Sequence, residues 1–264
     1  MKRLCAIAIA SLASAQALAV GNLADVSITD RDTGETLSVH RHRGEYWVAG
    51  RPGARYAIHI RNQQGSRLMA VTSVDGVNIL TGESAAFDQS GYVFDPWVGY
   101  DIAGWRKSNS QVAAFTFTSV PRSYAARTGR RDNVGVIGVA LFRERAPVPV
   151  ALSQRSDLGS ASARAEEPAA DAAGKSSRER EEKSQAAAPS AAPSLGTGHG
   201  RREESVVVHV GFDRENPHPN EVVRIRYDSR ENLLALGVIR QAVPVPRKPQ
   251  PFPGEQRMGY VPDP

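Results

Sequence analysis

The chain has very little cysteine: Cys5 is the only one in 264 residues. A single thiol cannot form an internal disulfide, and Cys5 falls in an N-terminal segment that we predict is removed. The mature protein would then have no thiolate to attack a substrate or to bind a metal. Its fold must be stabilised by apolar packing without covalent cross-links.

Aromatic residues are also scarce, at 6% of the chain, and 17 prolines accompany a mean hydropathy of −0.37. Part of the length therefore has too little apolar surface to fold. The contiguous motifs of serine hydrolases, zinc peptidases and P-loop proteins are missing as well. We predict a protein that is not an enzyme and that has no cofactor and no metal, although a site assembled from distant residues would leave no such motif.

What is present begins with an export pattern in residues 1–19. Lys2 and Arg3 precede a weakly apolar run, and Ala17-Leu18-Ala19 provides a small-x-small cleavage site, which is the pattern of a signal peptide. The run is shorter than the roughly 20 apolar residues of a membrane span. We expect cleavage near Val20, a periplasmic or secreted location and no membrane span afterwards.

The net charge of +5 is small, and basic and acidic residues alternate along the sequence. A nucleic-acid-binding protein usually concentrates its positive charge on one surface or segment. We therefore predict that nucleic acid is not a partner.

Residues 20–147 have the pattern of an antiparallel β-sandwich. Short runs alternate between apolar and polar residues; Tyr56, Ile58 and Ile60, for example, alternate with charged neighbours. Asp75-Gly76 is a strong signal for a tight turn between two strands. Only residues 123–127, followed by Gly129, suggest a short helix.

Composition changes after this domain. Residues 148–204 consist mainly of Ala, Ser, Gly, Pro and charged residues and are predicted to be a disordered linker. Residues 205–240 predict a β-hairpin, with strands at 206–212 and 223–227, and a short helix between Ser229 and Gly237. We expect this small unit to dock on the sandwich, with dimer formation as the alternative, and the oligomeric state is left open. Residues 241–264 form a proline-rich tail.

Three possible ligand sites have simpler explanations. His40 and His42 share one face of a strand but are flanked by arginines, which disfavours a cation. The pattern Asp30-x-Asp32-x-Gly34 resembles the start of a calcium loop, yet its twelfth position is not acidic, so a hairpin turn is favoured. The glycines of Gly196-x-Gly198-x-Gly200 follow no predicted strand and are not expected to bind phosphate.

The most suggestive residues for binding are Trp97, Tyr100, Trp105 and Arg106. They fall on predicted loops and strand ends, where exposed aromatic rings can stack on a sugar or a peptide. The alternative is that these rings fill the core of a sandwich that has few other large side chains.

Five short segments resemble a group of exported Gram-negative bacterial proteins that has no assigned activity. They are SVDGVN (73–78), QSGY (89–92), GWRKS (104–108), SYAARTG (123–129) and NVGVIG (133–138). The resemblance covers about half of the mature chain. It implies export and similar domain limits, and it implies no catalytic residue.

Three functions remain open from the sequence. The first is a non-enzymatic exported protein that binds or scaffolds an unknown envelope protein. The second is a module that binds carbohydrate or peptidoglycan through Trp97, Tyr100 or Trp105. The third is a hydrolase whose site combines a histidine, a carboxylate and a serine from distant positions, with His59 as the candidate histidine.

Overall fold

The structure is a computed structural model that describes residues 20–146 and 193–240. The predicted signal peptide (1–19), linker residues 148–192 and the predicted tail (241–264) lie outside the described residues.

Strands dominate the described residues, and there are thirteen of them. In chain order they are β1 (Ala24–Asp30), β2 (Val39–His42), β3 (Glu45–Gly50), β4 (Arg55–Asn62), β5 (Leu68–Val74), β6 (Val77–Asn78), β7 (Tyr92–Phe94), β8 (Gly99–Ile102), β9 (Gly104–Arg106), β10 (Gln111–Ser119), β11 (Val136–Arg143), β12 (Leu195–Glu204) and β13 (Glu221–Ser229). The two α-helices are α1 (Tyr124–Arg127) and α2 (Arg230–Ala235). No helix in these residues is long and apolar enough to cross a membrane.

The strands form two sheets that enclose one main hydrophobic core. The first sheet has the order β1-β4-β10-β12, with β8 added to β4 and β9 added to β10. The second has the order β2-β3-β13-β11-β5-β6, with β7 added to β5. Only the pair β13 and β3 is parallel among the pairs of the described strands. The prediction of a mainly β protein built as a sandwich is confirmed.

Strand β4 shows why the alternating pattern identified the sandwich. Tyr56, Ile58 and Ile60 are fully buried between the sheets, while Arg55 and Arg61 are exposed on the outer face. Successive side chains of a strand point to opposite faces, so a strand with one buried face must alternate in this way.

The predicted turns and short helices are also found. Asp75 and Gly76 connect β5 to β6, and both have positive φ, 53° and 74°, as a tight hairpin turn requires. Ser123 caps α1 by accepting a hydrogen bond from the Ala126 amide. The Ser229 hydroxyl does the same for α2 through the Asn232 amide.

The predicted boundary of the linker and the predicted C-terminal hairpin are wrong. Residues 195–204, which we assigned to the linker, form strand β12, and this strand pairs with β10 in the first sheet. Residues 205–212 contain no strand, although their valines alternate. Strand β13 pairs with β11 and β3 in the second sheet, so β12 and β13 belong to different sheets and form no hairpin.

The physical reason is that β12 uses glycine where other strands use large apolar residues. A Cβ on Gly196 would lie 2.6 Å from Val134 Cγ1, and a Cβ on Gly200 would lie 2.7 Å from the Ala114 carbonyl oxygen. Neighbouring chain segments therefore approach β12 too closely for side chains at these positions. A glycine-rich strand has no apolar alternation, and its sequence resembles that of a linker.

A buried polar network joins the two sheets at the Asp75 turn. Oδ1 of Asp75 accepts hydrogen bonds from the Gly135 amide at 2.9 Å and the Tyr227 hydroxyl at 2.5 Å, and Oδ2 accepts one from the Thr197 amide at 2.8 Å. The Thr197 hydroxyl lies 2.7 Å from the Tyr227 hydroxyl and 2.6 Å from the Tyr56 hydroxyl. Tyr56 and Thr197 belong to the first sheet and Tyr227 to the second, so the network fixes the sheets to each other.

Burial controls the protonation of this network. It raises the pKa of the Asp75 carboxyl above its usual range, against the effect of the three donors. It also raises the pKa values of Tyr56 and Tyr227 well above that of a free tyrosine. Both hydroxyls therefore keep their protons at physiological pH and remain available as donors.

Replacing Asp75 with Asn should lower the free energy of unfolding by about 1–3 kcal/mol, because the amide NH2 would face donors and leave one of them unsatisfied in the core. Asn tolerates positive φ, so the turn itself should survive. Urea denaturation measures the change. The matched control is Asp88→Asn at an exposed position, which should cost less than about 0.5 kcal/mol. An equal loss of unfolding free energy in the two variants would show that the hydrogen bonds of Asp75 do not stabilise the fold.

Candidate functional site

The structure separates the four predicted binding residues into two groups. Trp97 and Tyr100 are exposed, at 58% and 46% of their surface, whereas Trp105 is 2% exposed. The Trp105 ring packs edge-on against Phe115, and its Nε1–H donates to the Gly198 carbonyl at 3.3 Å. The Trp105 ring therefore fills the core, whereas the rings of Trp97 and Tyr100 are left largely in solvent.

Trp97 is held in an unfavourable backbone conformation. It has φ of 64° in the loop between β7 and β8, where the Val98 amide donates to the Asp95 carbonyl at 3.2 Å. Bulky residues rarely adopt positive φ, and such strain is found most often at functional sites. The loop thus presents an indole ring to solvent at a position that glycine would occupy with less strain.

Tyr100 and Arg106 line an open cleft of about 1130 Å³. One wall comes from β7, β8 and the residues that follow them, and it includes the half-buried Tyr92, with the buried Phe94 behind it. The opposite wall is the extended segment 205–212, which we call the strap. The strap follows β12 and leads from the first sheet to the second.

Hydrogen bonds fix the strap at both ends. The amides of Ser205 and Val207 donate to the carbonyls of Ser110 and Asn109, each at 2.8 Å. At the other end, Arg67 donates to the Gly211 carbonyl at 3.2 Å. Between these attachments the valines Val206, Val208 and Val210 are 71%, 82% and 54% exposed. The strap therefore presents an apolar edge along the cleft.

Arg106 binds the first residue of the strap through its guanidinium group. Its guanidinium donates to the Ser205 carbonyl at 2.5 Å and to the Tyr92 hydroxyl at 2.8 Å. These hydrogen bonds position one wall of the cleft, and the binding role of Arg106 stays a prediction.

The other arginines of the cleft are occupied as well. Arg67 forms an ion pair with Glu144. Arg214 donates to the carbonyls of Phe87 and Gln89, each at 2.5 Å. Burial lowers the Arg214 pKa below its usual value.

The carboxylates of the cleft form fewer ion pairs and hydrogen bonds than its arginines do. Asp88 and Asp95 form no salt bridge with any described residue. Asp101 lies 2.7 Å from His59 Nδ1. Arg106 and Arg214 bind only neutral oxygens, so the cleft presents both positive and negative charge to a ligand.

The histidine and carboxylate expected for a hydrolase are adjacent, but the serine is not joined to them. His59 and Asp101 are neighbours across β4 and β8, and Ser27 lies opposite His59 on β1. No hydrogen bond joins a serine to His59 within the described residues, whereas an activated serine needs contact with its base. His209 lines the cleft, and its Nε2 lies 3.1 Å from the side-chain oxygen of Asn109.

Sequence reasoning missed the strap. The alternating valines of the strap were visible, but they were interpreted as the buried face of a hairpin. Among residues 20–146 and 193–240, no three His, Cys, Asp or Glu side chains are grouped so that they could hold a metal ion.

The chain matches no protein-family model, no curated protein and no solved structure.

Replacing Trp97 with Gly should leave the free energy of unfolding unchanged or raise it by up to about 1 kcal/mol, because glycine relieves the strain and little packing is lost. Thermal denaturation monitored by circular dichroism tests this. Trp105→Ala provides the contrast, since emptying a buried site of that size costs about 3–5 kcal/mol. A marked loss of stability in the Trp97 variant would mean that the exposed ring serves the fold rather than a ligand.

Proposed function

We propose that this protein is a non-enzymatic exported protein that binds an envelope protein through the cleft beneath the strap. The observation that carries the proposal is the cleft itself. The exposed Tyr100 and the valines of the strap line it, and the strained, exposed Trp97 lies in the loop that leads to Tyr100. Rigid aromatic rings at the edge of an apolar surface are the usual anchors of a protein interface.

Export is supported by the signal pattern of residues 1–19 and by the lack of any thiol after Cys5. Val20, directly after the predicted cleavage site, is 5% exposed and pairs with Val26 through two backbone hydrogen bonds of 2.9 Å. Val20 is thus part of the folded body, as expected of a residue that follows the cleavage site.

The charges of the cleft disfavour nucleic acid as the partner. Binding to a phosphate backbone depends on free arginines and lysines. Arg67, Arg106 and Arg214 are bound to groups of the protein itself, while Asp88, Asp95 and Asp101 also line the cleft.

A glycan is the second candidate ligand, and one observation favours it. Trp97 and Tyr100 both expose their rings within one short loop and the strand after it. Exposed aromatic faces of this kind can stack on sugar rings, as they do on other apolar faces. Peptidoglycan fragments are therefore the appropriate non-protein probe.

The binding proposal is tested with the full chain, expressed and recovered from the periplasm. Native protein, Tyr100→Ser and the control Leu236→Ser serve as baits for envelope extracts, and captured proteins are quantified by mass spectrometry. Leu236 is exposed on the C-terminal side of α2 and lies outside the cleft. We expect one defined protein to be lost about tenfold or more with the Tyr100 variant, as an interface anchor predicts, and retained with the Leu236 variant.

Two results would contradict the proposal. The first is equal capture by all three baits. The second is turnover of a peptide, ester or glycan substrate that a single substitution abolishes. Capture of peptidoglycan fragments by native protein, lost in Tyr100→Ser, would instead favour the glycan candidate.

A further inference from the structure

We infer that four cations around Tyr124 form a docking surface for a bilayer that contains anionic phospholipid. The four are exposed or half-buried side chains near the β12 edge of the first sheet, and we call them the basic cluster: Lys107, Arg127, Arg130 and Arg202. The inference goes beyond the proposed function, because no member of the basic cluster lines the cleft.

The fold brings these cations together at strand β12. Trp105 of β9 and Arg202 of β12 both pair with Ala113 of β10. Helix α1 lies directly against β12, because a Cβ on Gly196 would be only 2.7 Å from the Cβ of Ser123, the residue that caps this helix. Side chains from β12, from α1 and from the chain after β9 therefore share one surface.

The ring of Tyr124 is the centre of the basic cluster. It packs on the buried Trp105 ring at a centroid distance of 4.8 Å and on the His199 ring at 6.0 Å. Lys107 Nζ lies 5.7 Å from the centroid of the Tyr124 ring, and Arg130 Cζ lies 6.0 Å from it. Cations at these distances are attracted to the face of an aromatic ring. The ring therefore holds two cations close together and neutralises neither charge.

The basic cluster has no carboxylate partner among the described residues. None of its members forms a salt bridge there, whereas five arginines elsewhere in the same part of the chain do. Partial burial lowers the pKa of the neighbouring His199, and the positive charges of three of the four cluster residues lower it further. The positive charge of the cluster is therefore left for a ligand to neutralise.

Apolar side chains beside the basic cluster favour a bilayer over nucleic acid. Exposed residues alternate with half-buried ones from Arg202 to Val208, and Val206 is 71% exposed. Glu204 is the one carboxylate among the exposed residues of this row, and it forms no salt bridge with a described residue. A bilayer accepts cations at its phosphates and apolar side chains just beneath them, and binding strengthens with both. A nucleic-acid backbone offers phosphate without an apolar layer.

Vesicle sedimentation with the full chain, recovered from the periplasm, tests the inference. The protein is mixed with vesicles of phosphatidylcholine alone, or with vesicles of phosphatidylcholine and phosphatidylglycerol in equal parts. We expect it to sediment with the anionic vesicles at low salt and to be released at high salt, because salt screens exposed charges. Neutral vesicles should leave the protein in solution.

Removing two cations measures the contribution of the basic cluster. Each cation near an anionic surface contributes roughly fivefold to the partition coefficient, so Lys107→Gln with Arg202→Gln should bind about 25-fold more weakly. The matched control, Arg41→Gln with Arg61→Gln, removes the same charge from exposed positions on β2 and β4 and should lose less than about threefold. The exchange Lys107→Arg with Arg202→Lys keeps the charge and should bind as the native protein does.

Four outcomes would overturn the inference: equal binding to the two kinds of vesicle, an equal loss in the control variant, release by soluble glycerol phosphate at matched ionic strength, or tighter binding to a DNA oligonucleotide than to the vesicles. Release by glycerol phosphate would assign the basic cluster to a soluble phosphate ligand, and the DNA result would assign it to nucleic acid. The capture experiment with the Tyr100 bait changes no charge of this cluster, so each proposal is judged without the other.

Discussion

The buried carboxylate of Asp75 is the constraint on which the rest of the structure depends. It accepts hydrogen bonds from the amide before β11, from a strand of the first sheet and from a tyrosine of the second. A charge in a core is tolerated only when such partners surround it. Asp75 therefore stabilises one alignment of the sheets, and it does so only when β12 has returned to the body after residues 147–192. Glu203 adds a surface contact by pairing with Arg31 and Arg55.

The position of β12 explains how the cleft arises. Because β12 ends at the edge of the first sheet and β13 belongs to the second, the chain between them must pass from one sheet to the other. The strap is this crossing, and it forms a wall opposite the aromatic residues of β7 and β8. A surface assembled by a crossing segment contains residues far apart in sequence, which accounts for the absence of a contiguous motif. The same crossing leaves the strap valines exposed instead of buried.

The sequence predicted those parts of the fold in which local pattern and tertiary environment agree. Tyr56, Ile58 and Ile60 alternate because β4 has one buried face, and Asp75-Gly76 forms the turn that its residues favour. The prediction failed at β12, where close packing requires glycine. It also failed at the strap, where exposed valines alternate in the pattern expected of a strand with one buried face. Of the proposed binding residues, Trp97 and Tyr100 were selected from their residue types, and both are exposed. The buried position of Trp105 and the structural role of Arg106 depend on long-range partners, Gly198 and Ser205, that local sequence does not reveal.

Amide hydrogen exchange at Thr197 tests the central claim most directly. This amide donates to Asp75 from within β12, and Thr197 is fully buried. If the returning strand is an integral part of the sandwich, the Thr197 amide should exchange only through global unfolding, at the same opening free energy as the slowest amides of β4. Exchange of Thr197 at a much lower opening free energy, with β4 still protected, would show that β12 detaches independently and would contradict the account.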